Sequence, residues 1–516
     1  MEIQVLNVYS FKVFTYTLAL NDIFTKLIFC KPALEFLKIK MNKSTLILFA
    51  LFISLIGFSQ QKIGSWAGKI KVAEQALELR LHLFQQSDKS YISNWDVPAQ
   101  RAKGINSSST TFVDTILNIE INAIGAKYSG VYQPSANAFK GFWTQSGQKF
   151  PLNLEIFTDT VEKIVIKPQT PKPPFLYQTK DFVYEGVNTK LKYGATLTYP
   201  SNKEKSPLII LITGSGKQDR DETLFNHKPF AVLADYFTKK GYAVLRVDDR
   251  GMGKSTGDFN QSTSEDFAQD VEEHINFAKG LKEIDTTKIG LCGHSEGGLI
   301  APLVASRNKS VSFIILMAGP GIDITEMMVL QNEGVLRSNG VSKDATDAYL
   351  PLYKAFMEIA INNTDNAIAL AKAKELVNNW FESTNKEWVK ATTGINSKAE
   401  ADKFASILLY QLSSKWWKFF ASYNPQPTLE KLKCPVLAIN GGTDIQVIAD
   451  ANLKGIESSL KKGKNKHFTI KKFDGLNHLF QKCKTCTVSE YPDLETTIEL
   501  EVLDYMYNWL IANKII

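Results

Sequence analysis

The chain has 516 residues, 44% of them hydrophobic and 22% charged, and it carries a formal net charge of +7. This length and composition predict a globular protein of two or three domains. Removing residues 1–60 leaves 54 basic and 50 acidic residues, which lowers the excess to +4. So small an excess gives no argument for a nucleic acid or an anionic membrane as a partner, and neither is predicted.

The first sixty residues contain the pattern of a secretory signal peptide that starts at an internal methionine. Met41 to Ser44 is a short basic segment, residues 45–57 are apolar, and residues 58–61 fit a cleavage zone. We therefore predict that 1–40 is an upstream mis-start and 41–60 the signal peptide. The apolar segment is shorter than the roughly 20 residues of a spanning helix, so no stable membrane anchor is expected. The predicted localisation is exported, either periplasmic or secreted.

Residues 61–166 alternate apolar and polar side chains in short runs that are separated by Ser, Asn and Gly. This period of two predicts an N-terminal all-β domain, either a meander or a barrel. Trp66 near its start and Trp143 near its end are interpreted as packing anchors of its core. The alternative is an aromatic surface that binds glycans.

A proline-rich segment at 167–177 is predicted to be a linker, because prolines stiffen a chain and exclude it from a sheet interior. After it, apolar runs such as 208–212 and 242–247 alternate with helical periodicity, which predicts a mostly parallel sheet with helices on both faces. The α/β domain is therefore assigned to 178–516. Within it, residues 323–425 lack strand patterns and are predicted to be a helical insertion.

Ser295 lies in the pattern Gly-x-Ser-x-Gly, between the apolar run 289–292 and a helical segment that begins near Leu299. This strand, turn and helix predict a nucleophile elbow, in which glycines at 293 and 297 leave room for a sharp turn and the serine hydroxyl points outward. A glycine-rich loop that contains a serine by chance is the alternative.

A serine nucleophile needs a histidine base and an acid that orients it. In folds with such an elbow the three residues follow the chain order serine, acid, histidine. Of the six histidines, only His467 and His478 follow Ser295, and His478 lies in a loop after the last predicted strand. Asp444, which follows the preceding strand, is the predicted acid. Asp474 is the competing acid.

The oxyanion of a tetrahedral intermediate needs two backbone donors. One is the N–H of Glu296, directly after the serine. The other is predicted in the glycine-containing loop at 213–221, with Ser215 as the first choice and Gly216 as the second.

Near the C-terminus, Cys483 and Cys486 form a lone C-x-x-C pair in a polar segment. A metal site would require a second ligand pair, and the sequence offers none. In an exported protein the pair predicts a local disulfide, with a redox role as the alternative.

These motifs together resemble the α/β-hydrolase superfamily. Residues 248–255 are similar to its loop after the fourth strand, and 293–297 are similar to its elbow. The stretches Gly-Ser-Gly-x-Gln-Asp-Arg-Asp at 214–221 and Asn-His-Leu-Phe-Gln at 477–481 resemble exported bacterial acyl esterases and dienelactone-hydrolase-like proteins, including S9-like and S33-like peptidases. The resemblance covers residues 178–516. It implies an α/β-hydrolase fold with a helical cap, and it gives the same roles to Ser295, Asp444 and His478.

The predicted function is a serine hydrolase that cleaves a small-molecule carboxylic ester through an acyl-enzyme. No cofactor or metal is implied. A serine peptidase is the first alternative, and it would need a site for the charged amine of its substrate. A glycan-binding protein with a vestigial hydrolase domain is the second. The sequence leaves the acyl group, the alcohol and the oligomeric state open.

Overall fold

A computed structural model of the chain describes residues 61–72, 75–86, 88–98, 102–121, 125–145, 148–157 and 167–515. The predicted mis-start at 1–40 and signal peptide at 41–60 lie outside the described residues. The chain divides into two compact units, one with the described residues up to 157 and one with those from 167 onwards. Within the described ranges, no helix combines the length and apolarity that crossing a membrane requires.

The first unit is an antiparallel sheet in which strands that follow one another in sequence pair, except the fourth and fifth, which are its two edges, and the first strand also pairs with the last. The hydroxyls of Ser93 and Thr110, on the third and fifth strands, are 2.8 Å apart and connect the two ends of this sheet. The strands are β1 (Gln61–Val72), β2 (Gln75–Gln85), β3 (Tyr91–Val97), β4 (Ala102–Asn106), β5 (Ser109–Val113), β6 (Ile116–Ile121), β7 (Ala126–Gln133), β8 (Ala138–Gln145) and β9 (Gln148–Ile156).

Aromatic side chains fill the core of the first unit. The ring of Trp95 is fully buried and contacts Tyr128 and Trp143, with centroids 5.7 and 5.1 Å apart. Trp66 packs edge-on against Phe139 at 5.0 Å. Trp66 and Trp143 are only 3% and 2% exposed, so both belong to the core and neither contributes to an exposed aromatic surface.

The second unit is built on an eight-stranded sheet with the order β10-β11-β13-β12-β14-β15-β16-β17. The pairs β10–β11 and β11–β13 are antiparallel, and the remaining five pairs are parallel. The strands are β10 (Gln178–Glu185), β11 (Lys192–Tyr199), β12 (Ser206–Ile212), β13 (Ala243–Val247), β14 (Ile284–His294), β15 (Val311–Met317), β16 (Val436–Gly441) and β17 (Phe468–Phe473).

Helices cover both faces of this sheet because its central strands are apolar on both faces. In β12, Leu208 and Ile210 point into one core and Ile209 and Leu211 into the other. The helices are α1 (Pro229–Lys239), α2 (Ser264–Lys279), α3 (Gly297–Ala305), α4 (Ile324–Ser338), α5 (Lys343–Asn362), α6 (Asn366–Ser383), α7 (Lys386–Thr393), α8 (Lys398–Leu412), α9 (Lys415–Ala421), α10 (Gln426–Leu429), α11 (Ala449–Lys462) and α12 (Leu500–Ala512).

Helices α4 to α9 lie in the region predicted as an insertion, 323–425, and α10 follows it directly. The aromatic side chains near the end of this region do not lie on a single helical face. Helix α9 ends at Ala421, and Trp417 is buried together with Trp416 and Phe420. The helix is short and packed on more than one side, so a single periodic stripe does not describe it.

The proline-rich segment at 167–177 belongs to the second unit. The Lys167 ammonium donates to the carbonyl of Leu494 at 2.5 Å, and the Gln169 amide oxygen accepts the N–H groups of Thr497 and Ile498. The start of this segment is therefore held against the chain that precedes α12.

Candidate active site

Ser295 occupies the sharp turn between β14 and α3. Its φ is +54°, in the left-handed region that side chains rarely adopt, and its N–H donates to Met317 O at 2.9 Å. A Cβ at Gly293 would lie 2.0 Å from Gly297 O, and one at Gly297 would lie 2.2 Å from Ile212 O. Only glycine fits on either side of the serine, which is the geometry that the Gly-x-Ser-x-Gly pattern predicted.

The structure brings Asp444 and His478 together. His478 Nδ1 lies 2.7 Å from Asp444 Oδ2, and both side chains are almost completely buried. The second oxygen, Oδ1, accepts the backbone N–H groups of Gln446 and Val447 at 2.7 and 3.0 Å. These bonds fix the orientation of the carboxylate. Because the carboxylate engages Nδ1 of the imidazole, Nε2 is the nitrogen that can exchange a proton.

This pairing follows from the register of two parallel strands. β16 and β17 end on the pair Gly441 and Phe473. The loops beyond them stay bonded, because Gly442 N–H donates to Phe473 O at 2.7 Å and Thr443 N–H donates to Leu476 O at 3.0 Å. Asp444 and His478, 34 residues apart in the chain, are therefore carried by two loops that touch.

A further hydrogen bond connects the loop of His478 to the elbow. Nε2 of His294, the residue before Ser295, lies 3.1 Å from His478 O, and the two imidazole rings are 4.8 Å apart. Within the described residues, no hydrogen bond joins the Ser295 hydroxyl to the His478 ring. Such bonds are commonly long in ligand-free sites and shorten when substrate is bound.

The glycine loop that follows β12 presents unoccupied donors beside the serine. Among the described residues, the N–H groups of Ser215, Gly216 and Glu296 have no hydrogen-bond acceptor. Asp249 holds both ends of this loop, because it accepts the Thr213 hydroxyl at 2.8 Å and the Gln218 N–H at 2.7 Å.

Glu296 plays a part that the sequence did not reveal, because its side chain turns away from the predicted oxyanion position. Oε1 accepts the Ser264 hydroxyl at 2.6 Å and the Trp416 indole N–H at 2.8 Å. Burial raises the pKa of this carboxyl from 4.5 to about 7, and the two hydrogen bonds limit the rise. The residue after the serine is thus bonded to the helical insertion.

The competing candidates lie elsewhere. Asp474 is exposed and does not contact the His478 ring, and His467 is also exposed, just before β17. His227 Nε2 donates to Tyr491 O, its Nδ1 is hydrogen-bonded to the Thr497 hydroxyl, and burial lowers its pKa to about 4. His227 is therefore bonded within the protein, whereas Asp474 and His467 are exposed to solvent.

A second serine, histidine and aspartate are bonded in series in the first unit. Ser65 Oγ lies 2.7 Å from His82 Nδ1, and His82 Nε2 lies 3.1 Å from Asp96 Oδ2. Strand register explains the contact, because Ser65 and His82 are direct partners in β1 and β2. Ser65 is only 4% exposed and lies within a regular strand, so this series stabilises the sheet and lacks an elbow.

A cavity of about 40 Å³ lies behind the glycine loop, lined in part by Gly214, Gly216, Asp249 and Glu296. It has room for water but is too small for an ester substrate.

In the described part of the chain, no three His, Cys, Asp or Glu side chains come together in a way that could hold a metal ion. Near the base loop, Cys483 and Cys486 form a disulfide.

Comparison with known proteins yields esterases. The chain is similar to esterase EstD of Thermotoga maritima, with 24% identity over 340 residues, which cover 66% of this chain and 68% of the esterase. Among solved structures it is similar to the Pyrococcus furiosus esterase Pf2001, with a TM-score of 0.37, 16% identity, and coverage of 65% of this chain and 91% of the esterase. It is also similar to Est1E from Butyrivibrio proteoclasticus, solved with ferulic acid bound (TM-score 0.35, 17% identity, coverage 64% and 99%).

A family comparison covers the chain from the residues just before β11 to the first residue of β17, which includes Ser295 and Asp444 but ends before His478. The family described as X-Pro dipeptidyl-peptidase (S15 family) matches residues 189–468, which is more than half of the chain. Together with the esterase relative, this match confirms the resemblance to α/β-hydrolase esterases and peptidases. The chain therefore belongs to the X-Pro dipeptidyl-peptidase (S15) family of hydrolases.

Proposed function

We propose that this hydrolase cleaves carboxylic esters through an acyl-enzyme formed on Ser295, with His478 as the base and Asp444 as the acid that orients it. One observation carries the proposal. The buried 2.7 Å contact between His478 Nδ1 and Asp444 Oδ2 is held beside a strained serine elbow. An acid, a base and a nucleophile in this arrangement are what acyl transfer requires.

In the first step His478 Nε2 removes the Ser295 proton as the hydroxyl oxygen attacks the ester carbonyl. The negative charge on the carbonyl oxygen is stabilised by the N–H of Glu296 and by that of Ser215 or Gly216. The imidazolium then protonates the leaving alkoxide, and the acyl group stays on the serine. Water, activated by the same imidazole, attacks the acyl-enzyme and releases the carboxylic acid. Asp444 stabilises the imidazolium in both steps.

We also propose that the helical insertion is a cap over this site. The bond from Trp416 to the Glu296 carboxyl supports this, because it joins the insertion to the residue next to the nucleophile. A cap of this kind would form a wall of the substrate pocket and exclude water from the acyl-enzyme.

The second candidate is a peptidase that releases X-Pro dipeptides, and the family match favours it. Such a substrate carries a free amine, which would require an available carboxylate near the serine. Three carboxyls around the elbow and the glycine loop are already bonded within the protein: Glu222 to Gly214 N–H, Asp249 to Thr213 and Gln218, and Glu296 to Ser264 and Trp416. This occupancy favours a neutral ester over a charged peptide.

A direct competition of substrates tests the choice. We expect p-nitrophenyl esters to be hydrolysed with a higher kcat/KM than X-Pro p-nitroanilides that carry a free amine. N-acetylated X-Pro anilides serve as the matched control, because an X-Pro dipeptidyl-peptidase must reject them. Preferential cleavage of the free-amine anilide, lost in Ser295→Ala, would replace the esterase by the peptidase.

The domain boundaries and the localisation are also proposals. The first compact unit supports a separate N-terminal β domain, and the disulfide between Cys483 and Cys486 supports export to an oxidising compartment. N-terminal sequencing of exported protein tests both the signal at 41–60 and the predicted start near residues 60–62. Recovery of a mature chain that retains residues 1–40 would contradict the proposed processing.

A further inference from the structure

A buried chain of hydrogen bonds connects three segments around the candidate site. The N–H of Gly214, in the glycine loop, donates to Glu222 Oε1 at 2.7 Å. The same oxygen lies 3.1 Å from His294 Nδ1, on the elbow. His294 Nε2 lies 3.1 Å from His478 O, in the base loop. The glycine loop, the elbow and the base loop are therefore joined through two side chains, Glu222 and His294.

The chemistry of the partners fixes the direction of each bond. A carbonyl oxygen only accepts, so His294 Nε2 donates to His478 O. Burial by itself lowers the pKa of His294, but the charge of Glu222 and the bonds to Glu222 and His478 O outweigh burial and raise it. Both ring nitrogens of His294 are therefore engaged, Nε2 by His478 O and Nδ1 by the Glu222 carboxyl. Neither nitrogen is left to act as a second catalytic base.

Stability alone does not explain this pair of buried side chains. Glu222 and His294 are only 1% and 5% exposed, and a buried ion pair is often replaceable by apolar side chains without loss of stability. Glu222 also has a φ of +50°, a left-handed conformation that strains a residue with a side chain. The strained backbone and buried carboxyl of Glu222, close to the elbow, are better explained by the groups that Glu222 and His294 hold in position.

We propose that Glu222 and His294 form a positioning pair, which holds the backbone of His478 and the glycine loop in register with Ser295. The inference rests on the proposed function, because it assigns His478 the role of base. The pair does not contact the reacting atoms. It acts by fixing the carbonyl of the base residue, so that the imidazole stays within reach of the serine. A displacement of about 1 Å at such a site costs about 100-fold in rate.

Two amide variants of His294 separate this role from simple packing. In His294→Gln the side-chain N–H₂ lies near the position of imidazole Nε2 and can still donate to His478 O. In His294→Asn the amide lies near the position of Nδ1 and reaches only Glu222. Both variants bury an amide at the same place, so their difference isolates the bond to the base loop.

We expect kcat on a p-nitrophenyl ester to fall about 100-fold in His294→Asn and by less than about tenfold in His294→Gln, with KM within about threefold of wild type in both. The proton between His478 and Asp444, observed at low field by proton NMR, should persist in the Gln variant and broaden in the Asn variant. Glu222→Gln provides a second test, because it keeps the acceptor for Gly214 but removes the carboxyl that engages His294. It should lower kcat about tenfold without raising KM.

His274→Gln is the matched control, since His274 is another buried histidine of the second unit, bonded to Tyr184 at 2.8 Å. It should lower the melting temperature but not kcat. If Ser295→Ala is inactive while the Asn and Gln variants have equal kcat, or change only KM, the positioning role is refuted and the proposed function stands. If Ser295→Ala retains activity, the proposed function itself fails.

Discussion

Glu296 provides a test of how the elbow is connected to the helical insertion. Its carboxyl is 2% exposed and accepts the Ser264 hydroxyl and the Trp416 indole N–H. Burial raises its pKa from 4.5 to about 7. Glu296→Gln keeps an oxygen for both donors and cannot ionise. The variant therefore removes the cost of a buried charge and leaves the contacts in place.

The sign of the effect follows from proton binding. Between pH 4.5 and pH 7 the folded protein holds a proton on Glu296 that the unfolded chain has released. The contribution of Glu296 to the free energy of unfolding must therefore fall as the pH rises through this window. Below pH 4.5 both states are protonated, and above pH 7 both are ionised, so the contribution is constant on either side.

The size of this change in stability follows from the same two pKa values of Glu296, 4.5 and about 7. A difference of about 2.5 pH units, at about 1.4 kcal/mol for each, corresponds to about 3 kcal/mol of lost stability at pH 8. At that pH Glu296→Gln should be more stable than the wild type by up to about 3 kcal/mol. At pH 4.5 the two proteins should be equal within about 1 kcal/mol.

Urea unfolding at pH 4.5, 6 and 8 measures this difference. Far-ultraviolet circular dichroism is the suitable signal, because α1 to α12 all belong to the second unit. Glu375→Gln is the control, since Glu375 is an exposed residue of α6 and should show no pH-dependent difference. A Glu296→Gln variant that is destabilised at pH 8, or that differs from wild type equally at all three pH values, would refute the reasoning.

Three further predictions concern the proposed mechanism and the disulfide. Ser295→Ala and His478→Ala should each lower kcat on one ester by roughly 10⁴-fold or more. The double variant should be hardly worse than either, because both residues act in one proton transfer, and additive losses would contradict this. Asp444→Asn should lower kcat by less, and the exposed Asp474→Asn should stay within about threefold of wild type, whereas the reverse order would reassign the acid. Replacing Cys483 and Cys486 together by serine opens a four-residue loop and should cost about 2 kcal/mol in urea unfolding, with kcat little changed; loss of activity in a folded variant would indicate a functional thiol.

The strands of the second unit were predicted closely because both faces of the sheet are covered. A strand that is buried on both faces reads as a continuous apolar run, and the runs at 208–212 and 242–247 coincide with β12 (Ser206–Ile212) and β13 (Ala243–Val247) to within two residues. The start of the last helix, at Leu500, depends instead on a distant contact. Gln169 accepts the N–H groups of Thr497 and Ile498, which withdraws them from a helix. That contact spans more than 300 residues, and no local pattern reports it.

The sequence by itself determined the geometry of the elbow, because the steric limits on Gly293, Ser295 and Gly297 act between neighbours in the chain and leave a local pattern. It also narrowed the choice of a candidate base to His478, because chain order and loop position argued against the other histidines. Only the tertiary structure decided which groups surround them. Glu222, His294 and His478 are separated by 72 and 184 residues, and Glu296 meets Trp416 across 120. Hydrogen bonds across such distances depend on how the sheet and the insertion pack, and packing is a property of the whole fold.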